Sequence, residues 1–104
     1  MRRLVVISTA PRAEDAELMA RELVERRLAA CVNVLPLMTS IYRWRGDVER
    51  TEEVLMVVKT TEDRFEAVRD ALVKGHSYDV PEVLALEVRA GHAPYLAWLD
   101  ESVS

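Results

Sequence analysis

The chain has 104 residues, of which half are apolar and 31% are charged, the balance of a globular protein with its own core. Its net charge is −4, and each small group of arginines has acidic neighbours, so we expect no nucleic-acid partner. A single cysteine excludes an internal disulfide, and no apolar run is long enough to span a bilayer. We therefore expect residues 1–104 to form one cytoplasmic domain without a membrane partner.

The first predicted elements are a strand and a helix. Residues 3 to 10, RLVVISTA, form a β-branched run that ends before Pro11, which is typical of a strand followed by a turn. From Arg12 to Arg27, apolar residues recur three and four positions apart, which predicts an amphipathic helix. Acidic residues near its start and basic residues near its end favour this helix through its dipole.

A long hairpin is predicted next. The alternation that begins at Val32 stops at Pro36, which fits a bulge or an edge strand because proline removes a ladder donor. Alternation resumes up to Gly46-Asp47, and glycine first in a two-residue connection predicts a type II′ turn. The returning strand is polar at 48–53 and wholly apolar at 54–58. The tip is therefore expected to project beyond the core, while the base lies inside it.

In the second half of the chain, helical and strand patterns of apolar residues again follow one another. Thr60 or Thr61 is expected to cap a second helix, which ends at Lys74-Gly75. After the segment HSYDVPEV at 76–83, the run VLALEV predicts a last strand. Gly91 to Pro94 then opens a short terminal helix, with proline at a tolerated first-turn position.

The order β-α-β-β-α-β plus a terminal helix predicts an α+β, ferredoxin-like domain with a long protruding hairpin. The two strands that are apolar throughout are the first and the third, which are central in that topology. Two helices cover only one face of such a sheet. The remaining apolar face needs cover from the terminal helix or from another copy, so we expect a homo-oligomer.

Several motifs together resemble the CutA family of divalent-cation tolerance proteins. They are LAACVN at 28–33, SIYRWRGDV at 40–48, Glu53 with LMVVKTT at 55–61, HSYDVPEV at 76–83 and YLAWL at 95–99. The resemblance spans nearly the whole chain. It implies a homotrimer similar in architecture to the PII proteins, and a link to tolerance of copper and other divalent metals. Ser77 departs from the family, which commonly has proline there, and leaves the loop backbone freer.

Metal ligands are few in this sequence. Copper and zinc favour thiolate and imidazole, with carboxylate as a further ligand, but no CxxC or HxxxH spacing is present. We predict a set of Cys31, His76 and Glu82 that binds copper or another divalent cation, joined across a subunit boundary. No cofactor is required. In the alternative, the cysteine is a small core residue and the histidine helps to end a helix.

A second group combines hairpin and loop residues. Tyr42, Trp44 and Lys59 with Tyr78, beside His76 and Glu82, have the character of a small-ligand pocket in a cleft between subunits. The alternative is that the large aromatic residues anchor a subunit interface.

The functional expectation is binding rather than catalysis. The sequence has no GxSxG motif, no glycine-rich phosphate loop and no second cysteine for redox exchange. We expect a homotrimer that binds divalent metal, copper above all, in metal tolerance or response, without catalytic turnover. The alternative is a trimeric, PII-like scaffold or a sensor that binds a small effector.

Overall fold

A computed structural model describes residues 2–104 as four strands, three helices and a short 3₁₀ turn. In chain order these are β1 (Arg3–Ala10), α1 (Ala13–Glu25), β2 (Cys31–Trp44), β3 (Asp47–Thr61), the turn Glu62–Arg64, α2 (Phe65–Gly75), β4 (Leu84–Glu87) and α3 (Ala93–Ser102). The strands form one antiparallel sheet in the order β2-β3-β1-β4. The ferredoxin-like prediction is confirmed, with β1 and β3 at the centre.

The core lies between one face of the sheet, called here the first face, and helices α1 and α2. Alternate residues of the two central strands supply its floor, and buried residues of both helices cover them: Val6, Ala10, Val54, Met56 and Val58 below, Ala16, Leu23, Val68 and Leu72 above. Thr60 is a buried strand residue whose hydroxyl donates to the Leu28 carbonyl. The predicted cap of the second helix is wrong: Thr61 precedes the 3₁₀ turn without a capping hydrogen bond from its side chain, and α2 itself begins after Arg64.

The opposite side of the sheet, the second face, is only partly covered. Helix α3 packs at the end where β1 begins, and Arg3 donates to the Asp100 carboxylate at 2.7 Å. Leu99 of α3 and Val103, which follows the helix, are buried with Ala30. The rest of the second face carries half-buried and exposed apolar side chains of all four strands, namely Val5, Ile7, Leu35, Leu55, Val57, Leu84 and Leu86.

The hairpin of β2 and β3 extends well beyond the core, as predicted. Every residue from 41 to 50 is exposed, and the molecule measures 44 Å along its longest axis against 25 and 23 Å across. The predicted type II′ turn at Gly46-Asp47 is wrong. Trp44 pairs with Asp47, so Arg45 and Gly46 form the connection, and their φ angles of 51° and 90° are those of a type I′ turn.

Pro36 lies in a β-bulge of the edge strand β2, as its position predicts. Leu35 pairs with Leu55 and Met38 with Glu53, so two residues of β2 stand opposite one of β3. The extra residue reverses the alternation of β2 beyond this point. Even-numbered residues of β2 then share a side with odd-numbered residues of β3, which places the outer half of β2 in a new orientation.

The buried side of α1 offers a direct measure of core packing. Leu23 is 1% exposed and Leu18, on the same helix, is 70% exposed. We expect Leu23→Ala to lower the free energy of unfolding by about 2 to 5 kcal/mol, because it leaves a cavity among packed side chains. Leu18→Ala is the matched control and should change it by less than about 0.5 kcal/mol. Denaturant unfolding at one fixed protein concentration measures both; equal effects would contradict the packing described here.

Candidate functional site

The segment 76–83 carries the chain from α2 to β4, as its sequence predicts. The His76 ring is held on both sides: Nε2 donates to the Thr9 carbonyl, and Nδ1 accepts a hydrogen bond from the Tyr78 amide at 3.1 Å. The rings of His76 and Tyr78 lie 4.4 Å apart between centroids. These contacts fasten the turn to the end of β1.

The same hydrogen bonds decide the chemical state of His76. Because an amide N–H donates and a carbonyl accepts, Nδ1 is unprotonated and Nε2 carries the proton. The one lone pair that a neutral imidazole offers a metal is engaged by Tyr78. A metal ion would therefore have to displace the Tyr78 amide. The ring donates to β1, at Thr9, rather than to a carbonyl at the end of α2.

Cys31 lies in the sheet, whereas Glu82 lies in the turn that precedes β4. Cys31 begins β2, half-buried, with its thiol 4.0 Å from the Asn33 side-chain oxygen. Glu82 has an exposed side chain, and its backbone carbonyl accepts a hydrogen bond of 2.8 Å from Ser8. Strand spacing separates Cys31 from Ser8 by about 14 Å. Among residues 2–104, no three histidine, cysteine, aspartate or glutamate side chains lie close enough to hold a metal ion.

A cleft of about 590 Å³ opens between the β2–β3 hairpin and the 76–83 turn. Three aromatic and three acidic residues line it, Tyr42, Trp44, Tyr78, Glu53, Asp79 and Glu82, with Thr9, Ser40, Ile41 and Val80 between them. The β-bulge creates this arrangement. Because it reverses the alternation of β2, Tyr42 and Trp44 share a side with Glu53 of β3.

The structure thus brings together three of the four residues predicted for a ligand cleft. Tyr42, Trp44 and Tyr78 line it, whereas Lys59 does not. Lys59 lies six residues beyond Glu53 along β3, about 20 Å away, and its ammonium group donates to Asn33. Lys59 therefore belongs to the neighbourhood of Cys31.

Glu53 and Tyr78 form the inner wall of the cleft. The Tyr78 hydroxyl donates to Glu53 Oε2 at 2.9 Å, and the Glu53 residue is only 9% exposed. Burial, and then the hydrogen bond to Glu53, raise the pKa of Tyr78 to about 12. Farther out, Tyr42 shares a hydrogen bond of 2.9 Å with Thr51. Both phenol groups are thereby fixed in place.

The mouth of the cleft carries a cation of the chain itself. The Arg45 guanidinium lies 5.2 Å from the centroid of the Trp44 ring and 3.8 Å from the Asp79 carboxylate. The exposed side chains of Arg45 and Asp79 make this a weak ion pair. Arg45 pairs with Asp79 and leaves the inner part of the cleft, at Glu53, open to a different partner.

Glu53 is the main site residue that the sequence analysis did not single out. Its signal was present, since it is an acidic residue directly before the apolar run 54–58. A carboxylate at the edge of a core strand is unusual unless it has a partner. Asp79 lies within the predicted turn 76–83, and only the folded turn shows that it lines the cleft together with Trp44.

Comparison with known proteins adds the family. Residues 4–102 match the family model described as CutA1 divalent ion tolerance protein. The chain belongs to the CutA family. It is 47% identical over 98 residues to the divalent-cation tolerance protein CutA of Thermus thermophilus, with 94% of this chain and 95% of that protein covered.

CutA proteins of other organisms are also similar to the chain in sequence and structure. The chain is 48% identical over 99 residues to human protein CutA, covering 92% of this chain but 55% of the human protein. It thus spans about half the length of that relative. The crystal structure of CutA1 from Oryza sativa superposes with a TM-score of 0.96 at 38% identity, over 100% of this chain and 95% of that one.

The compartments of CutA proteins differ. A curated rice relative, 39% identical over 99 residues, is named as chloroplastic; the match covers 95% of this chain and 56% of that protein. In residues 2–104 of the present chain, no helix is both long and apolar enough to cross a membrane.

The raised pKa of Tyr78 makes a testable statement about stability. In the unfolded chain a tyrosine ionises near pH 10, whereas folded Tyr78 ionises near pH 12. Its contribution to stability is therefore complete below about pH 10 and is lost as the pH rises towards 12. The difference in tyrosinate absorbance between the protein and Tyr78→Phe should show a midpoint near pH 12. A midpoint near 10 would contradict the buried hydrogen bond to Glu53.

Proposed function

We propose that the protein acts in tolerance of divalent cations as a homotrimer, and that metal binds where copies meet. The observation that supports this most strongly is the apolar second face of the sheet. Leu84 and Leu86 are 58% and 57% exposed, and Leu35 is 45% exposed, beside the half-buried Ile7 and Val57. A contiguous apolar surface of this kind marks an interaction site in a folded protein.

The sheet edges support a ring of copies. β2 and β4 are the two edge strands and carry unlike side chains, so β2 of one copy would meet β4 of the next in a head-to-tail contact. Such contacts close into rings when the rotation between neighbours permits. The family resemblance implies that the ring has three members. Each protruding hairpin would then lie across a neighbouring copy.

A metal site between copies would use the predicted ligands Cys31, His76 and Glu82. Within one copy Cys31 is too far from the other two, so its thiolate must meet them from another copy. Thiolate and imidazole favour copper over harder divalent cations, which makes copper the leading candidate. His76 would exchange its bond to the Tyr78 amide for the metal. The protein would sequester the metal or respond to it, without catalytic turnover.

The cytoplasm is the compartment that we propose. The support is Cys31, the single cysteine, which is partly accessible and therefore suits a reducing environment. A free thiol that is also a metal ligand keeps its thiolate chemistry only where it is not oxidised.

Assembly has a direct test. Light scattering with size exclusion should give a mass three times that of the 11.8 kDa chain at micromolar concentration. Leu86→Glu places a charge on the second face and should shift the protein towards monomers, because a buried unpaired carboxylate is costly. Leu18→Glu, at an exposed position on α1, is the matched control and should leave the mass unchanged. A monomeric parent protein would refute the trimer.

Metal binding is tested separately, by calorimetric titration with Cu(II) and Zn(II). Cys31→Ser and Glu82→Gln should each weaken binding by about tenfold or more, because each removes a ligand. His92→Ala is the control: His92 precedes α3, is exposed and has no part in the proposed site. Metal uptake that is the same in all three variants would remove this site while leaving the assembly intact.

A second candidate function is a small-molecule sensor, and the cleft favours it. A volume of about 590 Å³ lies in the range of small-ligand sites, and aromatic walls with a few inward polar groups are typical of them. In a ring of copies this cleft would lie beside the joined second faces, because Thr9 and Leu55 connect the two regions. Ligand binding and assembly would then be linked.

A further inference from the structure

The negative charge of Glu53 has no cationic partner in the part of the chain that is described. Its residue is more than nine-tenths buried, and its one hydrogen bond there comes from the neutral Tyr78 hydroxyl. A phenol satisfies an oxygen but does not neutralise a carboxylate, and a buried carboxylate is stabilised by an opposite charge. Glu53 also lines the cleft. A ligand in the cleft can therefore supply the missing cation.

The aromatic walls favour the same kind of ligand. The faces of tyrosine and tryptophan rings carry partial negative charge and attract ammonium and guanidinium groups. The chain itself shows this at the mouth, where the Arg45 guanidinium lies 5.2 Å from the Trp44 centroid and 3.8 Å from Asp79. One aromatic face paired with one carboxylate already receives a cation there. Tyr42 and Glu53 line the same cleft.

The charges around the cleft disfavour an anionic ligand. Three carboxylates, those of Glu53, Asp79 and Glu82, face the single guanidinium of Arg45. Lys59, which would have suited an acidic effector, lies outside the cleft. A phosphate or carboxylate ligand would meet net repulsion here.

We propose that the cleft binds a small organic cation, an ammonium or guanidinium group on an apolar body. The charged group lies at Glu53, and the apolar body lies against Tyr42 and Trp44. This inference rests on the second function proposed above, a small-molecule cleft, and names its ligand class.

The test uses phenethylamine as the probe, with 2-phenylethanol as its neutral match and phenylacetate as its acidic match. Binding is followed by the fluorescence of Trp44 in a Trp98→Phe background, since the chain has two tryptophans. Phenethylamine should bind at least about tenfold more tightly than the alcohol, and phenylacetate more weakly than both. Equal binding of amine and alcohol, or no binding of the amine at millimolar concentration, overturns the inference.

Matched variants locate the charge. Glu53→Gln keeps the shape and a hydrogen-bond acceptor for Tyr78, and it should weaken phenethylamine binding at least about tenfold while leaving the alcohol unchanged. Asp79→Asn, at an exposed position where folding is not at risk, should weaken it about threefold. Glu17→Gln makes the same change of net charge on α1 and should have no effect. Unchanged amine affinity in Glu53→Gln and Asp79→Asn overturns the inference.

Three further outcomes separate this inference from the function on which it rests. If phenylacetate binds best and Tyr42→Ala abolishes its binding, the cleft is a small-molecule site but its ligand is not a cation. If phenethylamine binds and lowers the mass seen by light scattering, the cleft holds an arginine or lysine of a neighbouring copy, and the inference of a small organic cation is overturned. The small-molecule function itself fails if no probe of any charge binds.

Discussion

The structure depends on one constraint: its two central strands carry apolar side chains on both sides, and its own helices cover only one side completely. Helices α1 and α2 bury the first face, while α3 protects the second face only where Arg3 meets Asp100. What is left exposed lies in the same sheet as Cys31 and continues to the cleft through Thr9. Assembly, the metal site and the cleft are therefore proposals about one continuous region of the sheet.

The sequence predicts the fold well because the apolar periodicity of each segment agrees with the glycine and proline residues that bound it. It fails at the hairpin turn for a physical reason: glycine was assigned to the first position, whereas Arg45 takes that position with φ 51°. A non-glycine residue in the left-handed region costs about 1 to 2 kcal/mol, and the register of a long paired hairpin offsets that cost. The bulge at Pro36 was predicted, but not that it would turn Tyr42 towards the cleft.

The candidate sites, like the fold, are predicted from the sequence only in part. Residue type and position are enough to predict that Tyr42, Trp44 and Tyr78 come together, since the hairpin and the turn that carry them are both visible in the sequence. They cannot tell that both nitrogens of His76 are occupied, because this depends on a backbone carbonyl 67 residues away along the chain. They also cannot separate Lys59 from the cleft or show Glu53 buried. Hydrogen-bond partners and charge neutralisation depend on residues that are distant in the sequence and meet only in the folded sheet. Local sequence patterns therefore do not reveal them.

The bulge has a consequence for solubility as well. β2 is a long edge strand, and such an edge is a template on which foreign strands can stack into fibrils. Pro36 offers no N–H, and Leu37, at φ 62°, bends the strand away from a flat ladder. The irregular middle of β2 therefore limits uncontrolled growth of the sheet, so that partners fit this edge only where their own strands match the kink.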